Sequence, residues 1–314
     1  MGKRLEQTLA VLNGLIGDYL SRTHNGLATE MSLRRNESEL SCERASLARA
    51  LPNASSKLVV LVHGLMCTED IWRMPDGEDY GSCLERDLGF TALYVRYNSG
   101  LPIADNGAQL SALLAQLCAA YPVAIEELLL VGYSMGGLVV RAACHTGALA
   151  QLPWLARVRR CVYVGTPHLG APAERVGKVV AEVLHTIPNP YTRLISELGD
   201  LRSAGMKDLG HADLRHEDRV ARSVWSLRDA SHPVPLLASI EHHLIAGSMF
   251  GDPRLAVLFG DSLVPVVSAT FAKQGVDALI PPERVRVIPS ASHVALARHP
   301  AVYARLREIC EEAR

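Results

Sequence analysis

The stretch "LLLVGYSMGGLVVR", residues 128–141, opens with an apolar run too short for a typical helix, sets Ser134 among glycines, and resumes as a second apolar run. Gly132 lies two residues before the serine, and Gly136 and Gly137 follow it closely. A serine between glycines says little by itself, so the flanks must discriminate. "ELLLVGYS" (127–134) reads as a buried strand, and the chain from Met135 to about Thr146 reads as a helix. Strand, sharp turn, helix is the setting of a nucleophile elbow, in which strain exposes the serine hydroxyl at the carboxyl end of a sheet. Small neighbours let helix and strand approach without Cβ clashes, and the helix start aims backbone N–H groups at the same place.

Outward from this stretch the chain alternates. "KLVVLVHG" (57–64), "FTALYVRYN" (90–98), "RRCVYVGTP" (159–167), "HHLIAGS" (242–248) and "RVRVIPS" (284–290) are short apolar runs of strand character, and "GAQLSALLAQLCAA" (107–120) has helical periodicity. Continuous apolar strands separated by helices imply an α/β protein with a mostly parallel sheet covered on both faces. Residues 56–170 and 239–314 form that core. The rhythm breaks between them: residues 171–238 contain the helical stretches "AERVGKVVAEVLH" and "PYTRLISELGDL" but no good strand, so they read as a helical cap inserted between two strands. Residues 1–55 form a leading segment packed on the core. Leu5, Leu9, Leu12, Leu15, Ile16, Tyr19 and Leu20 recur at helical spacing within 4–21, and "ATEMSLR" is a candidate early strand.

A serine hydroxyl needs a base to take its proton and preorganised donors for the oxyanion. In proteins built around such an elbow the order is serine, acid, histidine. His293 stands just past the last strand and is the candidate base; His299, next to Pro300, is the weaker choice. Between serine and histidine, "GSMFGDPRLAVLFGDSLVP" offers Asp261, in a loop turning at Val264-Pro265, and less favourably Asp252. The acid fixes the imidazole tautomer and stabilises the imidazolium. The oxyanion donors are the N–H of Met135, directly after the serine, and that of Leu65, reached because Gly64 lets the chain bend after its strand. His63 can orient that loop, or simply be a satisfied histidine at a strand end.

The balance of charge removes other classes. The 314 residues carry a formal net charge of −1 and are 48 % hydrophobic, so the core is large and nothing attracts nucleic acid. Seven scattered cysteines without a C-x-x-C pair give no disulfide framework and no zinc site, and no cofactor is called for. The first residues lack a signal-peptide pattern, and no apolar stretch reaches the roughly 18 residues of a membrane span. A cytoplasmic location is expected, with at most transient contact between the first helix and a lipid surface.

With these residues assembled, the chain resembles the α/β-hydrolase superfamily of serine esterases and lipases. "LVVLVHGL", "VGYSMGGLVVR", "VGTPHLGAP", "GDSLVPVVSA" and "SHVAL" carry the resemblance in the expected order. "GTPHLGAP" is the narrower match, similar to bacterial triacylglycerol lipases and the GPI-inositol deacylase-like group. "GDSLVP" is similar to their acid loop, with Ser262 in place of a second glycine. The resemblance implies a carboxylic-ester hydrolase acting on a small-molecule acyl ester or lipid; His168, just after the strand next to the nucleophile strand, is a candidate pocket residue by its position. A thioesterase or acyltransferase would use the same three residues, and a non-catalytic binding protein would need none of them.

Overall fold

The computed structural model describes residues 2–171, 203–217, 234–249, 261, 264–270 and 280–312. Eight strands form one sheet in the order β2-β1-β4-β3-β5-β6-β7-β8. They are β1 (Ser32–Arg35), β2 (Ser38–Leu40), β3 (Lys57–Val62), β4 (Thr91–Arg96), β5 (Glu127–Tyr133), β6 (Val158–Val164), β7 (Glu241–Ser248) and β8 (Val285–Pro289). From β4 to β8 every neighbouring pair is parallel, while β1 runs antiparallel to β4 and to β2. The early strand expected in "ATEMSLR" exists, shifted toward the following residues, and lengthens the sheet as half of a hairpin.

Alternate residues of each central strand go to opposite faces, and both faces are covered. Leu58, Val60, Val62, Leu128 and Leu130 pack beneath α4 (Ile103–Ala120) and α5 (Met135–Leu149). Val59, Leu61, Leu129, Val131 and Val162 meet α3 (Tyr80–Leu88) and the last helix, Pro300–Glu311. That double burial explains why these strands read as unbroken apolar runs rather than alternating ones. Before them α1 (Lys3–Arg22) turns Val11, Asn13, Gly14, Gly17 and Leu20 inward, and α2 (Arg44–Ala50) follows the hairpin.

The chain leaves β3 to build β4 on one side, then returns to β5 on the other. The carboxyl ends of β3 and β5 therefore flank a topological switch point, where loops diverge and leave a crevice. His63 and Ser134 stand at these two ends. Of the segment expected to form a cap, "AERVGKVVAEVLH" and "PYTRLISELGDL" lie outside the described residues. Among its described residues, 203–217 hold a helix the periodicity did not reveal, α6 (Ala204–His211), laid over that rim: Gly205 N–H donates to the Gly100 carbonyl at 3.0 Å and Ala171 N–H to the Leu209 carbonyl at 3.3 Å.

Candidate active site

Ser134 occupies the turn between β5 and α5 at φ 52° and ψ −123°, a conformation a side chain rarely adopts. Such a residue costs on the order of 1–3 kcal/mol and is kept only where its surroundings over-determine it. Here the Ser134 N–H donates to the Val164 carbonyl at 2.8 Å, and the Gly137 N–H donates back to the Ser134 carbonyl at 3.1 Å. The glycines of the opening stretch have specific reasons. A methyl on Gly136 would overlap the carbonyl oxygens of Val62 and His63, and one on Gly132 would press on the Gly137 backbone. Helix α5 thus starts hard against the ends of β3 and β5.

His293 begins the short helix His293–Leu296 after β8, and Asp261 lies beyond β7. The three side chains meet. His293 Nε2 is 2.9 Å from Ser134 Oγ, and His293 Nδ1 is 2.8 Å from Asp261 Oδ2. All three are almost wholly buried, with 3 % of Ser134 and 1 % each of Asp261 and His293 exposed. A carboxylate only accepts, so Nδ1 carries the proton and Nε2 presents its lone pair to the serine hydroxyl. Asp261 is held in turn: its Oδ1 accepts the Val264 N–H at 2.8 Å, and its carbonyl accepts the His293 N–H at 3.1 Å. Asp252 lies outside the described residues. His299 instead caps the last helix, its Nδ1 accepting from the Ala301 N–H at 3.2 Å.

Three further residues shape this chain of groups without having been singled out in the sequence. The Tyr133 hydroxyl donates to the His293 carbonyl at 3.0 Å, and its ring lies 5.1 Å from the imidazole. Gly165, at φ 59°, passes so close that a Cβ would stand 3.2 Å from His293 Cε1. Gly247 does the same for the acid, a Cβ there falling 2.9 Å from that of Asp261. Only the variable position of G-x-S and the glycine of "GTP" hinted at them.

Leu65 follows Gly64, where an added Cβ would stand 3.1 Å from that of Ser134, and Met135 is the first residue of α5, where a helix leaves its N–H groups without intrahelical partners. His63 is buried, stacked on Tyr97 at 4.4 Å, and its Nδ1–H donates to the Gly64 carbonyl at 2.8 Å. Burial drives its ring down to about 4, against the pull of that hydrogen bond, so it is neutral. His168 joins a separate buried polar group. Its ring sits edge-on to Tyr163 at 4.9 Å, and Arg141 of α5 reaches its Nδ1 at 3.2 Å. Burial and the Arg141 charge hold His168 well below the usual imidazole range. The second Arg141 nitrogen donates to the Val234 carbonyl at 2.7 Å, so one guanidinium ties both stems of the inserted segment to α5.

The sequence pattern of the Alpha/beta hydrolase family matches residues 59–306. The chain belongs to the alpha/beta hydrolase family. Among solved structures, this hydrolase is similar to the mature form of the Bacillus licheniformis lipase BlEst2, with 18 % identity, a TM-score of 0.50, and coverage of 81 % of this chain and 91 % of that one. A Pyrococcus furiosus esterase matches at 14 % identity and a TM-score of 0.49, over 81 % of this chain and 80 % of its own. At 18 % identity the likeness to the lipase is one of fold alone. No curated protein matches the sequence. Among the described residues of the hydrolase, no helix is long and apolar enough to cross a membrane.

Proposed function

We propose that the protein is a carboxylic-ester hydrolase, an esterase or lipase, that works through an acyl-enzyme. The supporting observation is the unbroken hydrogen-bonded chain from Asp261 through His293 to the strained Ser134. In this reading Ser134 Oγ attacks the ester carbonyl as His293 Nε2 takes its proton. The Leu65 and Met135 N–H groups receive the oxyanion, and His293 then protonates the leaving alcohol. Water activated by the same imidazole releases the acid. Asp261 stays ionised, holding the tautomer and balancing the imidazolium charge.

The substrate class is a small-molecule acyl ester or a lipid. Of residues 171–238, the described helix α6 lies beside Gly100 and Gly170. Seven free cysteines fit a reducing compartment, which supports the cytoplasm as the working location. The test is hydrolysis of p-nitrophenyl acyl esters by the wild type and Ser134→Ala. The variant should keep the wild-type melting behaviour and lose activity by roughly a thousandfold or more. Equal rates from the two proteins would remove the assignment.

A further inference from the structure

A donor for the oxyanion is useful only if its direction is fixed, and for Leu65 that direction is set by the turn that contains it. Residues 64–67 close through the Cys67 N–H and the Gly64 carbonyl, 3.3 Å apart, and the third residue of the turn, Met66, stands at φ 60°. Positive φ at this place is what a type II turn demands, and the demand is normally met by glycine or asparagine. Met66 has a Cβ and is almost wholly buried, so the turn is strained and must be held from outside.

The holders are visible. The Met66 N–H donates to Ser99 Oγ at 3.0 Å. Gly14 of α1 lies against the Met66 backbone, where an added Cβ would stand 3.2 Å from its nitrogen and 3.3 Å from its Cα, besides overlapping the side chain. Helix α1 is fixed in its turn. Asn98 Nδ2 donates to the Gly17 carbonyl at 2.9 Å, the Ser203 hydroxyl to the Gly14 carbonyl at 2.7 Å, and the Ala204 N–H to Asp18 at 3.0 Å. Ser99 is buried, and the chain beside it receives α6, since the Gly205 N–H donates to the Gly100 carbonyl. Helix α1 lies before the region that the family pattern matches, which begins at residue 59, whereas Ser99 lies within it.

We propose that Ser99 and Gly14 are positioning residues that hold the 64–67 turn in its strained form and so aim the Leu65 N–H at the oxyanion. The inference rests on the hydrolase reading above. It predicts a loss confined to the chemical step, because the brace touches a donor and not the acyl or alcohol group.

The experiment compares steady-state hydrolysis of a p-nitrophenyl ester by the wild type, Ser99→Ala, Gly14→Ala, and each of these combined with Met66→Gly. Amide hydrogen exchange over residues 64–67 is measured alongside. Ser99→Ala should lower kcat at least tenfold and leave KM within about twofold, with Gly14→Ala moving in the same direction. Met66→Gly should return kcat of either variant to within about threefold of its own value alone, because glycine holds positive φ without a brace. A kcat for Ser99→Ala within twofold of the wild type, or a loss that Met66→Gly does not relieve in folded protein, overturns the proposal. If the wild type hydrolyses no ester, it is the hydrolase reading that fails. Exchange then decides the brace alone: Met66 must lose protection in Ser99→Ala, and an unchanged rate overturns it.

Discussion

The strands β5, β6 and β7 each carry polar groups at both ends, and the two ends do different things with them. At the amino end, Glu127 of β5, Arg160 of β6 and Glu241 of β7 lie side by side. Arg160 Nη1 donates to Glu127 at 2.6 Å, its Nε lies 3.4 Å from Glu241, and its Nη2 donates to the Glu312 carbonyl at 3.0 Å. Only 2 % of the Arg160 side chain is exposed. At the carboxyl end, Ser134 follows β5, Gly165 follows β6, and Asp261 rests on Gly247 of β7. The amino-end set is closed, since the cation is matched by anions and a carbonyl. The carboxyl-end set is a line that finishes in a neutral hydroxyl held by strained backbone. Burial of charge is therefore no mark of chemistry by itself. What sets the carboxyl end apart is a chain of groups ending in the hydroxyl that the proposed reaction uses.

The largest effect that would sharpen this contrast comes from changing one carboxylate at each end. Asp261→Asn keeps shape and volume but can turn an amide N–H toward His293 Nδ1, which favours the wrong imidazole tautomer. A loss of kcat of roughly ten-thousandfold is expected, with the melting temperature changed by only a few degrees. Glu127→Gln at the amino end should leave kcat within twofold. Steady-state rates beside thermal melts measure both, and comparable losses of kcat from the two variants would erase the distinction.

Next in size is the cost of opening the closed set. Arg160→Met leaves Glu241 without its arginine and Glu127 with only Arg159, 3.9 Å away. Removing one member of a buried ionic group costs about 3–5 kcal/mol, far above the 0–1 kcal/mol typical of exposed pairs. Urea unfolding should show that loss, while kcat of the folded fraction stays near the wild-type value. A variant that keeps its stability would mean that the amino-end charges are solvated rather than structural.

How legible each end was follows from the kind of signal it sends along the chain. Ser134, His293 and Asp261 could be named together because strand runs, turn residues and their order are local features, and the fold brings the three side chains into one hydrogen-bonded line. The parallel strands were equally plain, since double burial writes an unbroken apolar run. Gly14, Ser99 and Tyr133 act through close approach to partners distant in sequence. In the chain, a glycine inside a helix reads only as a weak helix former, and "YNSG" reads only as a turn. Helix α6 was missed for the same reason. Its residues pack between the 98–101 loop and Gly170, and that fit depends on Gly205 and Gly170 making room rather than on an apolar stripe. The amino-end network had no sequence signature, because Glu127, Arg160 and Glu241 become neighbours only through strand register.

The smallest effect asks whether the two ends differ in acid as they do in chemistry. Each buries a neutral histidine. Burial brings His63, at the carboxyl end, down to about 4, and brings His243, at the amino end, down to about 3, with Arg284, Arg305 and Arg160 adding to the shift. Both start from an ordinary value of 6.5. Below that value the unfolded chain takes up a proton that the folded chain refuses, so stability must fall as pH drops, and the fall continues until the folded ring also protonates. Each such histidine contributes a slope of about 1.4 kcal/mol per pH unit between roughly pH 6 and 4, and none above pH 7. The ring nitrogens of His243 have no hydrogen-bond partner among the described residues, so His243→Phe should flatten the slope by one histidine's worth and spare kcat. His63→Phe should flatten it equally but also lower kcat, because the hydrogen bond to the Gly64 carbonyl, one residue from the Leu65 donor, is lost with the ring. Urea unfolding at pH 7, 6 and 5 reads the slopes, and rates at pH 7 read the rest. Equal flattening with unequal activity would show one burial rule operating at both ends of the strands and chemistry attached to only one of them, whereas a loss of kcat in His243→Phe would join the two ends into a single functional unit.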